Sequence, residues 1–371
     1  MDKGAYMEEL LRNYFLSQGF YVVRGLKYRF AGEDVTDVDV FLYKRISTTA
    51  RHRGNVDIKN KKTPQAMERI LWANGVKNLL NFNECIVATT DSRPFIHDFA
   101  KVHNTTLLDG NFTGRLKSDP KAPRLSEDDL MQLLGKYSSL NVFKRDWRFI
   151  VEESKSRLLS EMDYSGFNAG LSPLQYFVNK SIVSVDEKKQ AATRALYAVI
   201  SHLLVIIDYI CKDLVQIDEA RQRKSMTEGF LYGNLGKDGA TKLLAIARKM
   251  AGTSARSVDF TNVPADMLAE FFTKRENVRG LMTWALAFEQ IAYGTNTENP
   301  TNLDAGLKSV LGVFLDFLQV PRRTFFDSYA SHAQTTITHP VASQRTLYGE
   351  QAEIGAKSAG KGDTPPNTDA A

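Results

Sequence analysis

Two hydrophobic periods divide this chain. Between residues 6 and 110 the pattern switches repeatedly between a period near 3.6 and a period of two, while beyond residue 126 nearly every apolar run has helical spacing. The stretch AYMEELLRNYFLSQGF predicts a helix that closes at Gly19, and FYVVRGLKYRF predicts a strand interrupted at Gly25. Two alternating runs follow, TDVDVFLY and NVDIK, each a strand with Val38, Val40 and Leu42, or Val56 and Ile58, on one face. Pro64 suits the first turn of a helix running through PQAMERILWANGVKNLL. The apolar run ECIVATTD has the length of a buried strand, RPFIHDFAKVHN that of a short helix, and TTLLDG that of a last strand. The order helix, three strands, helix, strand, helix, strand describes an α/β domain over residues 1–110.

Residues 111–125, with their Gly, Pro and Lys, read as a linker to a mostly α-helical domain over 126–330. That domain opens with a capping-box pattern, Ser126 followed by Asp129, and has helical runs around 142–162, 185–217, 240–250, 265–292 and 303–318. Residues 331–371 are poor in large apolar side chains and have the composition of a disordered tail. With 371 residues, two domains are the default expectation. A net charge of +5 permits a nucleic-acid partner without demanding one. The two cysteines, Cys85 and Cys211, each stand alone in an apolar run, which fits a reducing cytoplasm and excludes a disulfide framework. The most apolar stretch, LYAVISHLLVIIDYI, is short for a bilayer and includes His202 and Asp208, so no membrane partner is expected and a core helix is.

The polar faces of the two alternating strands carry the candidate chemistry. Asp37, Asp39, Asp57 and Lys59 fall close together, although carboxylates are poor strand formers and like charges across a hairpin repel. Asp57 and Lys59, two apart on one strand, share a face, and a hairpin brings Asp39 beside them. Two converging carboxylates call for a cation. Mg2+ suits oxygen donors of this kind, the Ile58 carbonyl included, and Mn2+ would substitute. Acid-x-Lys alone is a weak signal, because roughly three copies arise by chance in a chain of this composition. Asp119-Pro-Lys121, Glu153-Ser-Lys155 and Glu187-Lys-Lys189 are such copies, but none lies on an alternating strand behind a second carboxylated strand.

In element order and in Asp39, Asp57 and Lys59, the first 110 residues resemble the restriction-endonuclease-like, PD-(D/E)xK, nuclease superfamily, with the flavour of its Mrr-like and Holliday-junction-resolvase-like members. The resemblance implies a central mixed sheet flanked by helices and a Mg2+-dependent endonuclease that hydrolyses phosphodiester bonds of DNA, RNA being a second candidate substrate. It assigns DVDVF to the second-strand acid, with Asp39 preferred to Asp37, and VDIKN to the acid-x-Lys element. Glu8 matches the first-helix acid, with Glu9 as alternative, and Gln65 or Glu68 would be a supporting polar group. The second-strand acid lacks a preceding proline, and Asp stands where Glu is frequent. Bacterial or phage-related defence, restriction or repair is the setting implied, with a homo-oligomer or a complex with other proteins.

Lys44, Arg45, Arg51, Arg53, Lys61 and Lys62 surround the motif and are the expected DNA-backbone contacts, with His52 a further candidate. Trp72, Trp147 and Trp284 sit in helical patterns that favour the core over base stacking. The competing reading is a nuclease-fold protein that binds nucleic acid or regulates a partner without cutting, its helical domain serving sensing or assembly.

Overall fold

A computed structural model describes residues 3–59, 65–116, 123–139, 145–251 and 263–333. Helix α1 (Lys3–Ser17) precedes strands β1 (Tyr21–Phe30), β2 (Glu33–Arg45) and β3 (Arg51–Lys59). Helix α2 (Ala66–Leu79), strand β4 (Glu84–Thr89), helix α3 (Pro94–Val102), strand β5 (Thr106–Leu108) and helix α4 (Gly110–Leu116) follow. The five strands form one sheet in chain order. β1, β2 and β3 are an antiparallel meander, whereas β3–β4 and β4–β5 are parallel. Parallel neighbours need a crossover, and α2 and α3 supply the two crossovers.

The polar-face expectation for β2 holds only at its start. Val40 and Leu42 face α1 in a core with Met7, Leu10 and Leu11, but Phe41 and Tyr43 on the opposite face are also fully buried. Their cover is the helical half of the chain. Tyr21, Val23, Phe41 and Tyr43 belong to the same continuous core as Trp147, Ile150 and Tyr197. The expected linker is partly folded too: α4 buries Thr113 and Leu116, and Arg124 forms an isolated bridge with Gly294. One face of the sheet therefore shares a core with the helical half, while α1, α2 and α3 cover two further clusters of the first half's own.

The helical half comprises α5 (Glu127–Gly135), α6 (Trp147–Ser160), α7 (Tyr164–Val183), α8 (Asp186–Leu214), α9 (Glu219–Tyr232), α10 (Gly236–Ala251), α11 (Ala265–Thr273), α12 (Arg275–Ala292), α13 (Ala305–Phe317) and α14 (Arg322–Ala333). Among the described residues it contains no strand, as the period predicted. The capping box at Ser126 and Asp129 forms with both of its bonds. Helix α7 escaped the periodicity because Pro173 and two glycines dilute its pattern, and tertiary burial holds it instead. The run 265–292 splits at Lys274, whose extended backbone separates α11 from α12. Helix α8 is long and apolar enough to cross a membrane, longer than its most apolar stretch suggested, yet 89% of that window is buried within the fold. The expected tail lies outside the described residues beyond Ala333.

Charged groups also cross the boundary between the halves. Arg12 bonds Glu289 at 2.6 Å, Lys155 donates to the Arg24 carbonyl at 2.8 Å, and the Glu127 N–H donates to Glu9 at 3.3 Å, all buried. Burial alone would raise the Glu127 carboxyl, but Lys155 and Arg12 outweigh it and hold the group down to about 2. His202 stays neutral, pushed down to about 3 by burial.

Candidate active site at the fork of the sheet

The paired register of β2 and β3 runs from Arg45/Arg51 at the turn to Val40/Val56 and stops there. Beyond it, β2 continues with β1 while β3 continues with β4 as far as Lys59/Thr89. Asp39 sits at this fork, and its Oδ2 accepts the Ile58 N–H at 2.7 Å. The contact between Ile58 and the carboxylate pair is thus through its N–H. Gly25, at φ +57° on β1, lies between the residues paired with Val40 and Val38. A left-handed backbone there favours glycine, but β1 runs on through it from Tyr21 to Phe30, so the interruption expected at Gly25 does not occur.

Asp57 lies buried on β3 and turns toward α2. Arg69 grips both of its oxygens, Nε at 2.8 Å from Oδ2 and Nη2 against Oδ1. Burial, then the charge of Asp57, raises the Asp39 carboxyl from 3.8 to about 7, with a smaller push from Glu8. The fork therefore holds Asp39 and Asp57 side by side, and among the described residues no bond joins Glu8 to either. Glu8 is held by Arg24, at 2.7 Å and 3.1 Å, while Glu9 points into the buried network between the halves. Asp37 is exposed on the outer part of β2. Lys59 ends β3, partly exposed, with no ion-pair partner among the described residues. No group of three or more His, Cys, Asp and Glu side chains is placed to hold a metal ion among the described residues.

The expected supporting residues are corrected. Gln65 and Glu68 are exposed at the start of α2, and neither makes a bond to the carboxylate pair among the described residues. Arg69 takes that role. Its contact with Asp57 follows from the packing of α2 on the sheet, with Ala66, Ile70 and Ala73 buried around it.

The basic cluster is corrected as well. The β2–β3 turn is at the far end of the ladder from Asp39, roughly 20 Å away at about 3.3 Å per residue. Arg51 is buried and bonds the Asp208 carboxylate of α8 at 2.5 Å and its carbonyl at 2.9 Å. Arg45 meets the same carboxylate and the Val278 carbonyl, 2.7 Å away. Arg53 donates to the Asn81 carbonyl at 2.9 Å and covers the Tyr209 ring. Lys44 donates to the Gln18 carbonyl at 2.9 Å, and His52 pairs with Glu84. These residues clamp the turn onto the protein and do not form a phosphate track. Lys61 and Lys62 lie outside the described residues. Trp147 is buried and Trp284 partly so, as expected, but Trp72 is 49% exposed one turn along α2, with the Arg69 guanidinium 5.8 Å from its ring centre.

The raised Asp39 carboxyl has a measurable consequence. Protonation there contributes stability that is fully present below pH 3.8 and is lost as the pH rises through about 7. In EDTA, Asp39→Asn is therefore expected to melt above wild type at pH 8, with the advantage vanishing by pH 4. Parallel melting curves across that range would remove the buried charge repulsion on which the site rests.

No protein-family model, curated protein or solved structure matches this chain.

Proposed function

We propose that the chain is a metal-dependent endonuclease that hydrolyses DNA phosphodiesters at the fork of its sheet. One observation carries the reading: Asp39 accepts the N–H of Ile58, the residue after Asp57, so the two carboxylates stand side by side at the fork. Hard oxygen donors that repel one another suit a divalent cation of the Mg2+ type. Asp39, Asp57 and the Ile58 carbonyl would hold it, and Mn2+ would replace it. When bound, Mg2+ supplies positive charge toward a phosphodiester and Lewis acidity toward water. Lys59, on the open end of β3, orients the attacking water and offsets charge that develops on the phosphate. Glu8, fixed by Arg24, accepts a hydrogen bond from that water. Arg69 keeps Asp57 turned to the site and neutralises it until a cation competes.

The bidentate grip of Arg69 on Asp57 favours a second reading. In it, Asp57 and Arg69 are a structural ion pair and the fold binds nucleic acid, or regulates a partner, without cutting. Conversion of supercoiled plasmid by the wild type and by Asp57→Ala, with and without Mg2+, separates the two. Cleavage that needs Mg2+ and falls at least ~100-fold in the variant is the expected result. DNA binding with no cleavage in Mg2+ or Mn2+ supports the second reading.

A further inference from the structure

At the far end of the β2–β3 hairpin, away from the fork, a cavity of about 560 Å3 opens between the turn and the helical half. That volume is within the range of small-molecule sites. Its apolar surface comes from Leu214 at the end of α8 and from Val215 and Ile217 just beyond it, backed by the buried Met226 and Phe272. Its rim is cationic, with Arg45 from β2 and Arg275 and Arg279 from the first turns of α12.

The charges on this rim are not balanced. Arg45 and Arg51 share the single carboxylate of Asp208. Arg45 also keeps a buried Nε with no hydrogen-bond partner, a donor left over in the cavity wall. Arg275 and Arg279, four apart and so on one helix face, are exposed and have no ion-pair partner among the described residues. The acids of the cavity are Asp218 and Glu219 at the start of α9, and Asp218 is engaged by Arg221 at 3.2 Å. A buried donor without an acceptor and two free guanidiniums ask for an anion, and guanidinium forks match phosphate oxygens. The apolar surface asks for a flat, non-polar body attached to that anion.

We infer that this cavity binds a nucleoside phosphate, with the base against Leu214, Val215 and Ile217 and the phosphates against Arg45, Arg275 and Arg279. The site is separate from the carboxylate fork and does not depend on nuclease activity.

Calorimetric titration of the full chain in EDTA and 150 mM salt tests it, with the four common ribonucleoside mono- and triphosphates as probes. Adenosine and inorganic tripolyphosphate serve as the base-only and phosphate-only controls. Saturable one-site binding of at least one nucleotide is expected, at least ten times tighter than either control. Arg275→Glu with Arg279→Glu should weaken it at least tenfold while leaving the melting temperature of the free protein unchanged, because both side chains are exposed. Should that pair misfold, Arg279→Ala alone should still cost severalfold. Absence of saturable binding, equal binding of tripolyphosphate, or unchanged affinity in the folded variants would each overturn the assignment.

Discussion

Replacing Lys59 by alanine is expected to lower Mg2+-dependent plasmid cleavage by ~100- to 1,000-fold, the usual loss when one positioned charge is removed from a reacting oxygen. Lys59 terminates β3 next to the fork and carries no ion pair among the described residues, so its ammonium is free for such a role. Removing it leaves Asp39, Asp57 and Arg69 in place. DNA affinity should fall by no more than the share of one phosphate-directed charge in the salt-dependent term. Asp57→Ala should also stop cleavage, yet leave binding equal or tighter, since it removes a negative charge that faces the phosphates. Measuring cleavage under saturating Mg2+ alongside filter binding at several salt concentrations distinguishes chemistry from capture. Wild-type cleavage by Lys59→Ala would end the assignment of β3 as the reacting strand.

The second large effect concerns stability. Asp208 is fully buried on α8, where it accepts the Tyr43 hydroxyl at 2.6 Å, Arg51 Nε at 2.5 Å and the Arg45 guanidinium. Asp208→Ala would leave two guanidiniums and a phenol around a neutral methyl group. Breaking a buried pair by removing one partner costs about 3–5 kcal/mol. For a chain of this size that lowers the melting temperature by on the order of 10 °C. Asp213→Ala, on an exposed carboxylate near the end of the same helix, should shift it by less than ~2 °C and serves as the control. An Asp208→Ala variant that melts with wild type would mean that the hairpin turn is not anchored to α8.

The element order of the first 110 residues and the helical character of the rest were legible because period and turn residues are local properties. Asp39, Asp57 and Lys59 could be singled out for the same reason, each being placed by alternation along its own strand. Arg69 was not legible in that way. Its contact with Asp57 depends on how α2 crosses the sheet, and no spacing rule picks it over Gln65 or Glu68. The arginines of the hairpin misled for a related cause. Arg45 and Arg51 look like solvated cations in sequence, but their partner Asp208 comes from a helix more than 150 residues away. Trp72 shows the converse, an aromatic in a helical pattern that the fold leaves half uncovered.

The shared core also sets an order of events during synthesis. Phe41 and Tyr43 leave the ribosome long before the helix that covers them, since Tyr43 and its partner Asp208 are 165 residues apart. At translation rates of about 5–20 residues per second, that gap lasts roughly 10–30 s. For that interval the nascent meander presents Tyr21 and Tyr43 with no helix over them and Phe41 resting on Phe82, a natural substrate for holding chaperones. The clamp on the hairpin turn closes only once α8 has emerged. A ribosome stalled before Asp208 would thus hold both strands of the carboxylate pair in a chain whose hairpin turn is not yet clamped.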